Sequence, residues 1–177
     1  VNLMCNNLLR KAIVEEKIID PGKALDRVVE LLLELLESEN GFVSDGMDLA
    51  LCVWNKKTNK LEFSGANQPF YLIRNGELNI TKSNKQPIGY FEDKTLFTTH
   101  TYEVSKGDQI ILFSDGYKDQ FGGIKGKKFG IKRFNNLLLT HCSKSMDDQK
   151  TSLLKELSEW RKNENQVDDI CIFSIKI

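Results

Sequence analysis

The chain has 177 residues, with 25 Lys and Arg against 25 Asp and Glu, 40% hydrophobic residues and 28% charged ones. That length supports about one domain with a real core, and the balanced charge argues against a nucleic-acid-binding chain, which would carry a basic excess. No apolar run approaches the ~20 residues of a membrane span; the densest patch, from Leu31 to Leu36, is interrupted by Glu34.

The chain opens on Val1 without a signal-peptide layout and enters directly into a helical pattern. It reads as a piece of a longer protein with something structural upstream. Leu3, Met4, Leu8, Ala12 and Ile13 share one face of a helix predicted over residues 1–19. Asp20-Pro21 restarts a helix, Asp as N-cap and Pro in the first turn. Leu25, Val28, Val29, Leu32, Leu35 and Leu36 then follow helical spacing, with Glu30, Glu34 and Glu37 largely opposite. Such a stripe is either core packing or a face that meets a partner.

After Asn40-Gly41 the period changes from 3.6 to 2. Residues 47–54 (MDLALCVW) are apolar on both faces after their start, as in a sheet-centre strand. Leu61 and Phe63 alternate with Glu62 in the next strand. Asn75-Gly76 joins strands 70–74 and 77–81 in a hairpin. Strands are expected at 96–104, 109–114 and 170–177, and helices at 131–139 and 146–162. Short hairpin links imply antiparallel pairing, and helices on both sides of the strand block imply layers packed around it. Gly122 to Lys128 resembles a P-loop superficially, but three residues rather than four separate Gly122 from Gly126, and neither Ser nor Thr follows Lys127. This stretch is expected to be a mobile basic surface loop.

Nucleophilic catalysis finds little support. There are two His, His100 and His141, and no Gly-x-Ser-x-Gly elbow. The four Cys (Cys5, Cys52, Cys142, Cys171) form no Cys-x-x-Cys pair, which argues against a zinc knuckle or disulfide framework and makes a reducing cytoplasm the default. The stronger signal is acidic residues at strand ends. Asp115 follows the apolar strand QIILFS, and Asp168-Asp169 precede ICIFSIKI. If those strands are antiparallel neighbours, the carboxylates meet at one sheet edge. Converging carboxylates repel unless a cation or hydrogen-bond donors compensate, and an oxygen-only cluster suits Mg²⁺ or Mn²⁺. The alternative is that each Asp merely caps a turn.

Four segments occur together and in order. Residues 64–76 (SGANQPFYLIRNG) are similar to the G-x-N-x-P-x-x-x-x-R-x-G hairpin of the SpoIIE-like branch of the metal-dependent protein serine/threonine phosphatase (PPM) family. Gln86-Pro87-Ile88-Gly89 resembles its PIG segment, residues 107–116 (GDQIILFSDG) its GD-apolar-SDG motif, and residues 166–170 (QVDDI) its closing DD-I/V motif. Asp45-Gly46-Met47-Asp48, with residues 115–123, looks like phosphatase modules at the C-terminal end of bacterial signalling proteins.

The resemblance implies an α/β (α+β) fold, an antiparallel β-sandwich flanked by helices. It implies a metal-dependent protein serine/threonine phosphatase in which metal-activated water, with no catalytic nucleophile, hydrolyses phosphoserine or phosphothreonine on a signalling protein. Two Mn²⁺ or Mg²⁺ ions serve the intact domain. Asp115 and Asp168 match metal-binding positions, Asp169 an adjacent variable position that is a further candidate together with Gly116, and Gly65 and Asn67 positions near the active-site edge. The family's early metal-binding Asp and its Asp-x-x-Gly-His-Gly-like motif are not in this sequence. Residues 1–177 are therefore expected to be the C-terminal portion of a single, N-terminally truncated domain, inactive alone, with an exposed sheet edge that invites pairing between copies. Expected partners are the phosphoprotein substrate, an upstream sensor or regulatory segment, and a second copy through the first two helices. The competing reading is a non-catalytic regulatory or protein-interaction module with the same fold.

Overall fold

The computed structural model describes residues 2–38 and 46–177. Val1, the period change at Asn40-Gly41, and Asp45 lie outside the described residues. The chain divides into two compact units, one within residues 1–70 and 81–104, the other within residues 71–80 and 105–177.

In the first unit, α1 (Asn2–Arg10) runs into a π-helical turn, Lys11–Glu15. The helix predicted to residue 19 stops at Glu15. The Glu16 N–H bonds back to the Lys11 carbonyl and the Ile18 N–H to the Ala12 carbonyl, while Lys17 takes a left-handed φ of 57°. This reversal closes the helix C-terminus, and the residue before Pro21 resists helical geometry in any case. Helix α2 (Pro21–Ser38) then starts as expected. Asp20 Oδ1 accepts the Lys23 N–H at 2.9 Å, and Thr99 Oγ1 accepts the Gly22 N–H at 3.0 Å. Two of the first-turn donors are thus satisfied.

Most of the α2 stripe is core: Leu25, Val28, Val29 and Leu32 pack with Cys5, Leu8 and Ala12 of the preceding helix and with Ala66, Ile88 and Phe97, Leu36 is partly buried against them, and Leu35 is exposed. Strands β1 (Leu49–Asn55), β2 (Lys60–Ala66) and β5 (His100–Glu103) form an antiparallel sheet in the order β1-β2-β5. Two expectations fail here. Among the described residues β1 is the outer strand of this sheet, with half-buried residues, rather than a sheet-centre strand. The strand expected from residue 96 begins only at His100. The Thr95, Phe97 and Thr98 N–H groups are taken by side chains, Gln86 Oε1, Asp26 Oδ1 and Asn84 Oδ1, at 2.9–3.0 Å. Backbone donors spent this way cannot join a ladder.

The second unit holds a four-stranded sheet, β4 (Glu77–Thr81), β3 (Phe70–Arg74), β6 (Gln109–Phe113) and β9 (Ile172–Lys176), in that order. Asn75 and Gly76 both have positive φ, 52° and 78°, as a type I′ hairpin turn requires. β6 pairs antiparallel with both β3 and β9. Helix α4 (Ile131–His141) packs its Phe134 on Phe113, ring centroids 4.9 Å apart, and α5 (Met146–Arg161) follows it. Tyr71, Ile73, Ile111 and Tyr117 complete this core. The expected loop at 122–128 instead lies in a small hairpin, β7 (Phe121–Gly122) with β8 (Lys127–Lys128), although it is exposed and basic as its composition implied.

Arg74 and Asp108 tie the β3 hairpin to the turn before β6. Arg74 Nε and Nη2 donate to the two Asp108 oxygens at 2.9 and 2.6 Å, and Ser105 N–H adds a third bond at 2.9 Å. Asp108 is almost fully buried. The Arg74 guanidinium holds its carboxyl below the usual carboxylate range. A carboxyl depressed in the folded state stabilises above its unfolded pKa, and that contribution is lost as pH falls through the ordinary carboxylate range to the folded value. Arg74→Ala is expected to cost about 1–3 kcal/mol at pH 7, because it leaves a buried charge short of donors. Urea melts at pH 7 and at acid pH should show this difference shrinking once Asp108 is protonated.

Candidate metal centre

The register of β6 and β9 places the sequence-predicted acidic residues. Phe113 stands opposite Ile172, and the pairing runs one step further, with Ser114 N–H on the Cys171 carbonyl at 2.9 Å. Ser114 Oγ accepts the Cys171 N–H at 2.8 Å and donates to the Asp169 carbonyl at 2.7 Å. Asp115 follows and heads the short helix α3 (Gly116–Asp119). The Asp168-Asp169 segment is thereby held at the same end of the sheet as Asp115.

Gly116 is required for this approach. A β-carbon there would stand 2.4 Å from the Asp169 carbonyl oxygen and 3.0 Å from an Ile170 side-chain carbon. Asp115 is half-buried, and Asp168 and Asp169 are exposed.

A turn-capping Asp accepts a backbone N–H from the following turn. Asp115 makes no side-chain cap bond to α3, and among the described residues its carboxylate accepts no hydrogen bond. Asp168 behaves differently: its Oδ1 accepts the Asp169 N–H at 2.7 Å, so one of its oxygens supports the local turn.

Gly65 and Asn67 lie in the first unit. A β-carbon on Gly65 would stand 2.4 Å from the Gln68 carbonyl oxygen. Asn67 has a left-handed φ of 57° and donates from Nδ2 to Asp48 Oδ1 at 2.8 Å. Of the Asp45-to-Asp48 signature, the described part therefore meets the hairpin residue Asn67. The roles of Ser114 and of the Asp48–Asn67 bond were not foreseen from sequence. The Ser114 bonds join residues 55 and 57 positions apart, and no local spacing announces such partners.

In kind, these donors suit a hard divalent ion, since the ligands on offer are carboxylate and carbonyl oxygens. In number they fall short on their own: among the described residues no group of three or more His, Cys, Asp or Glu is placed to hold a metal. No helix among the described residues is long and apolar enough to cross a membrane.

The Stage II sporulation protein E (SpoIIE) family matches residues 2–177. Among solved structures, the chain is similar to the SiaA-PP2C domain of Pseudomonas aeruginosa, with a TM-score of 0.87 and 24% identity, over 99% of this chain and 68% of that one. It is also similar to a structure of the PP2C phosphatase domain and a fragment of the regulatory domain of SpoIIE from Bacillus subtilis, with a TM-score of 0.71 and 16% identity, over 98% and 48%. A third is the catalytic domain of the serine/threonine protein phosphatase PstP in complex with two manganese ions, with a TM-score of 0.64 and 16% identity, over 95% and 78%. This chain thus spans about half to three-quarters of the length of these structures. No curated protein matches it. With antiparallel sheets and helices in the order of a PP2C fold, and a family match along almost its whole length, the chain belongs to the SpoIIE family, a branch of the PPM phosphatases.

Proposed function

We propose that residues 1–177 are the C-terminal portion of a single PPM-type phosphatase domain in a cytoplasmic bacterial signalling protein. The whole domain hydrolyses phosphoserine or phosphothreonine on a protein substrate, and an upstream sensor or regulatory segment controls it. Asp115 and Asp168 are metal ligands. Asp169 and Gly116 support them, Asp169 through the carbonyl that Ser114 holds and Gly116 by permitting the close approach. The observation that carries this reading is the Asp115 carboxylate, half-buried at the end of β6 and bonded to no donor among the described residues.

Asp115 and Asp168 would help hold divalent Mn²⁺ or Mg²⁺, which when bound would supply a water activated for attack on phosphorus. The chain's own residues hold position and charge. Ser114 fixes the Asp168-Asp169 segment against β6, and Asp115 presents an unshared carboxylate at the same edge.

The test is hydrolysis of p-nitrophenyl phosphate and of phosphopeptides with added Mn²⁺. The 177-residue chain alone should be inactive or nearly so, and the full-length protein active. Inactivity of the full-length protein under the same conditions would favour the second reading, a non-catalytic interaction module. The incomplete set of acidic residues among the described positions is the observation on that side.

A further inference from the structure

The β7–β8 hairpin carries features that neither the core nor the acidic edge uses. Ile124 at its tip is 99% exposed, and Phe121 at its base is 39% exposed. A lone exposed Ile is ordinary on a protein surface. What sets this one apart is the rigidity beneath it. Gly122 and Gly123 lie flat on Trp160: β-carbons there would stand 2.1 Å from the Trp160 carbonyl oxygen and 2.7 Å from its ring. The Gly123 N–H donates to the Trp160 carbonyl at 2.8 Å, and Trp160 Nε1 donates to the Gln120 carbonyl at 3.0 Å. The Arg133 guanidinium caps the indole, 4.0 Å from its centroid. The hairpin base is therefore held on a fixed platform.

Its charge is one-sided. Residues 121–128 contain three Lys and no acid. Lys128 reaches Asp119 at 3.4 Å, as does Lys118. Lys125 and Lys127 have no ion-pair partner among the described residues. An apolar knob beside two unpaired cations on a fixed base is complementary to an acidic protein segment bearing an apolar contact point. A preorganised element of this kind binds without first losing loop entropy.

We propose that this hairpin docks the protein substrate: Ile124 seats on an apolar residue of an acidic segment, and Lys125 and Lys127 pair with its carboxylates. This rests on the phosphatase reading. Ile124 lies nine residues after Asp115, four of the intervening residues being the helix α3. At about 1.5 Å per helical and 3.3 Å per extended residue, the two are at most about 22 Å apart. An extended peptide of about seven residues bridges that span, so the docked segment flanks the phosphorylated residue. Stable membrane anchoring calls for more than one apolar side chain and two cations, whereas a substrate contact needs only modest affinity.

The experiment uses the full-length protein and a fluorescein-labelled phosphoserine peptide with a Leu inside a Glu run about seven residues from the phosphoserine. Anisotropy is read in EDTA, so that turnover is suppressed. The triple variant Ile124→Ser, Lys125→Glu, Lys127→Glu is expected to bind about tenfold more weakly or worse. Ile124→Leu should retain binding, and hydrolysis of p-nitrophenyl phosphate should be unchanged in both. Equal peptide binding by the wild type and the triple variant overturns the proposal. So does binding to phosphatidylcholine vesicles with about one-third phosphatidylserine, if the triple substitution abolishes it while peptide binding persists. Peptide binding sensitive to the hairpin, in a wild-type protein unable to hydrolyse p-nitrophenyl phosphate, would instead remove the phosphatase reading on which the substrate assignment rests.

Discussion

Asp115→Asn in the full-length protein is expected to reduce phosphatase turnover by about a thousandfold or more while leaving the fold intact. The substitution keeps the size of the side chain and removes the charge that offsets a divalent ion. A metal contributes several kcal/mol of charge stabilisation to a phosphoryl transition state, and each ~1.4 kcal/mol is about tenfold in rate. The fold should tolerate the change because Asp115 makes no cap bond that Asn would break. Asp168→Asn should behave alike in turnover. Asp169→Asn should be milder, because Asp169 meets Ser114 through its main-chain carbonyl, which the substitution leaves in place. Steady-state kinetics on p-nitrophenyl phosphate, with circular dichroism as the folding control, separates the three. Equal and severe losses at Asp168 and Asp169 would show that both carboxylates act as ligands. Full activity in Asp115→Asn would eliminate the metal-hydrolysis mechanism.

Gly116→Val should damage the same edge by a steric route. Even the β-carbon would sit 2.4 Å from the Asp169 carbonyl oxygen, against backbone that cannot swing aside as a side-chain end would. Either α3 or the Asp168-Asp169 segment must move, which breaks the Ser114 contacts. Overpacking of this kind costs about 1–3 kcal/mol of stability. Displacing the Asp168 segment from Asp115 should also cost metal affinity, about 10–100-fold by analogy with the loss of a group that orients a ligand. A thermal melt and a Mn²⁺ titration on the same sample report the two effects. Metal affinity equal to wild type would mean that Gly116 serves packing alone.

Much of this arrangement was legible in local sequence. Asp20-Pro21 announced α2 because capping and Pro geometry act within one turn. Asn75-Gly76 announced its hairpin because two consecutive positive φ angles favour those residue types. The meeting of two strand ends was legible for a different reason: Asp115 and Asp168 each flank an apolar run, and antiparallel pairing of the two runs brings the strand ends together. What stayed hidden depends on distant partners. The strand expected from residue 96 is shortened because Asp26 and Asn84 take the Phe97 and Thr98 N–H groups, and nothing in its own Thr-rich composition reveals that. The two-residue strands β7 and β8 are too short to show a period. The Gly122-Gly123 pair was visible as a loop signal, whereas the Trp160 that demands it lies far along the chain.

Asp115 and Asp168 are expected to belong to one metal centre. Electron paramagnetic resonance of free Mn²⁺, titrated into the full-length protein, tests it without any substrate. The wild type should take up Mn²⁺ at two sites. Asp115→Asn and Asp168→Asn should each weaken uptake, and the double variant should lose little more than either alone, because the two carboxylates share the centre. Unchanged Mn²⁺ uptake in both single variants, with folded protein by circular dichroism, would contradict the claim.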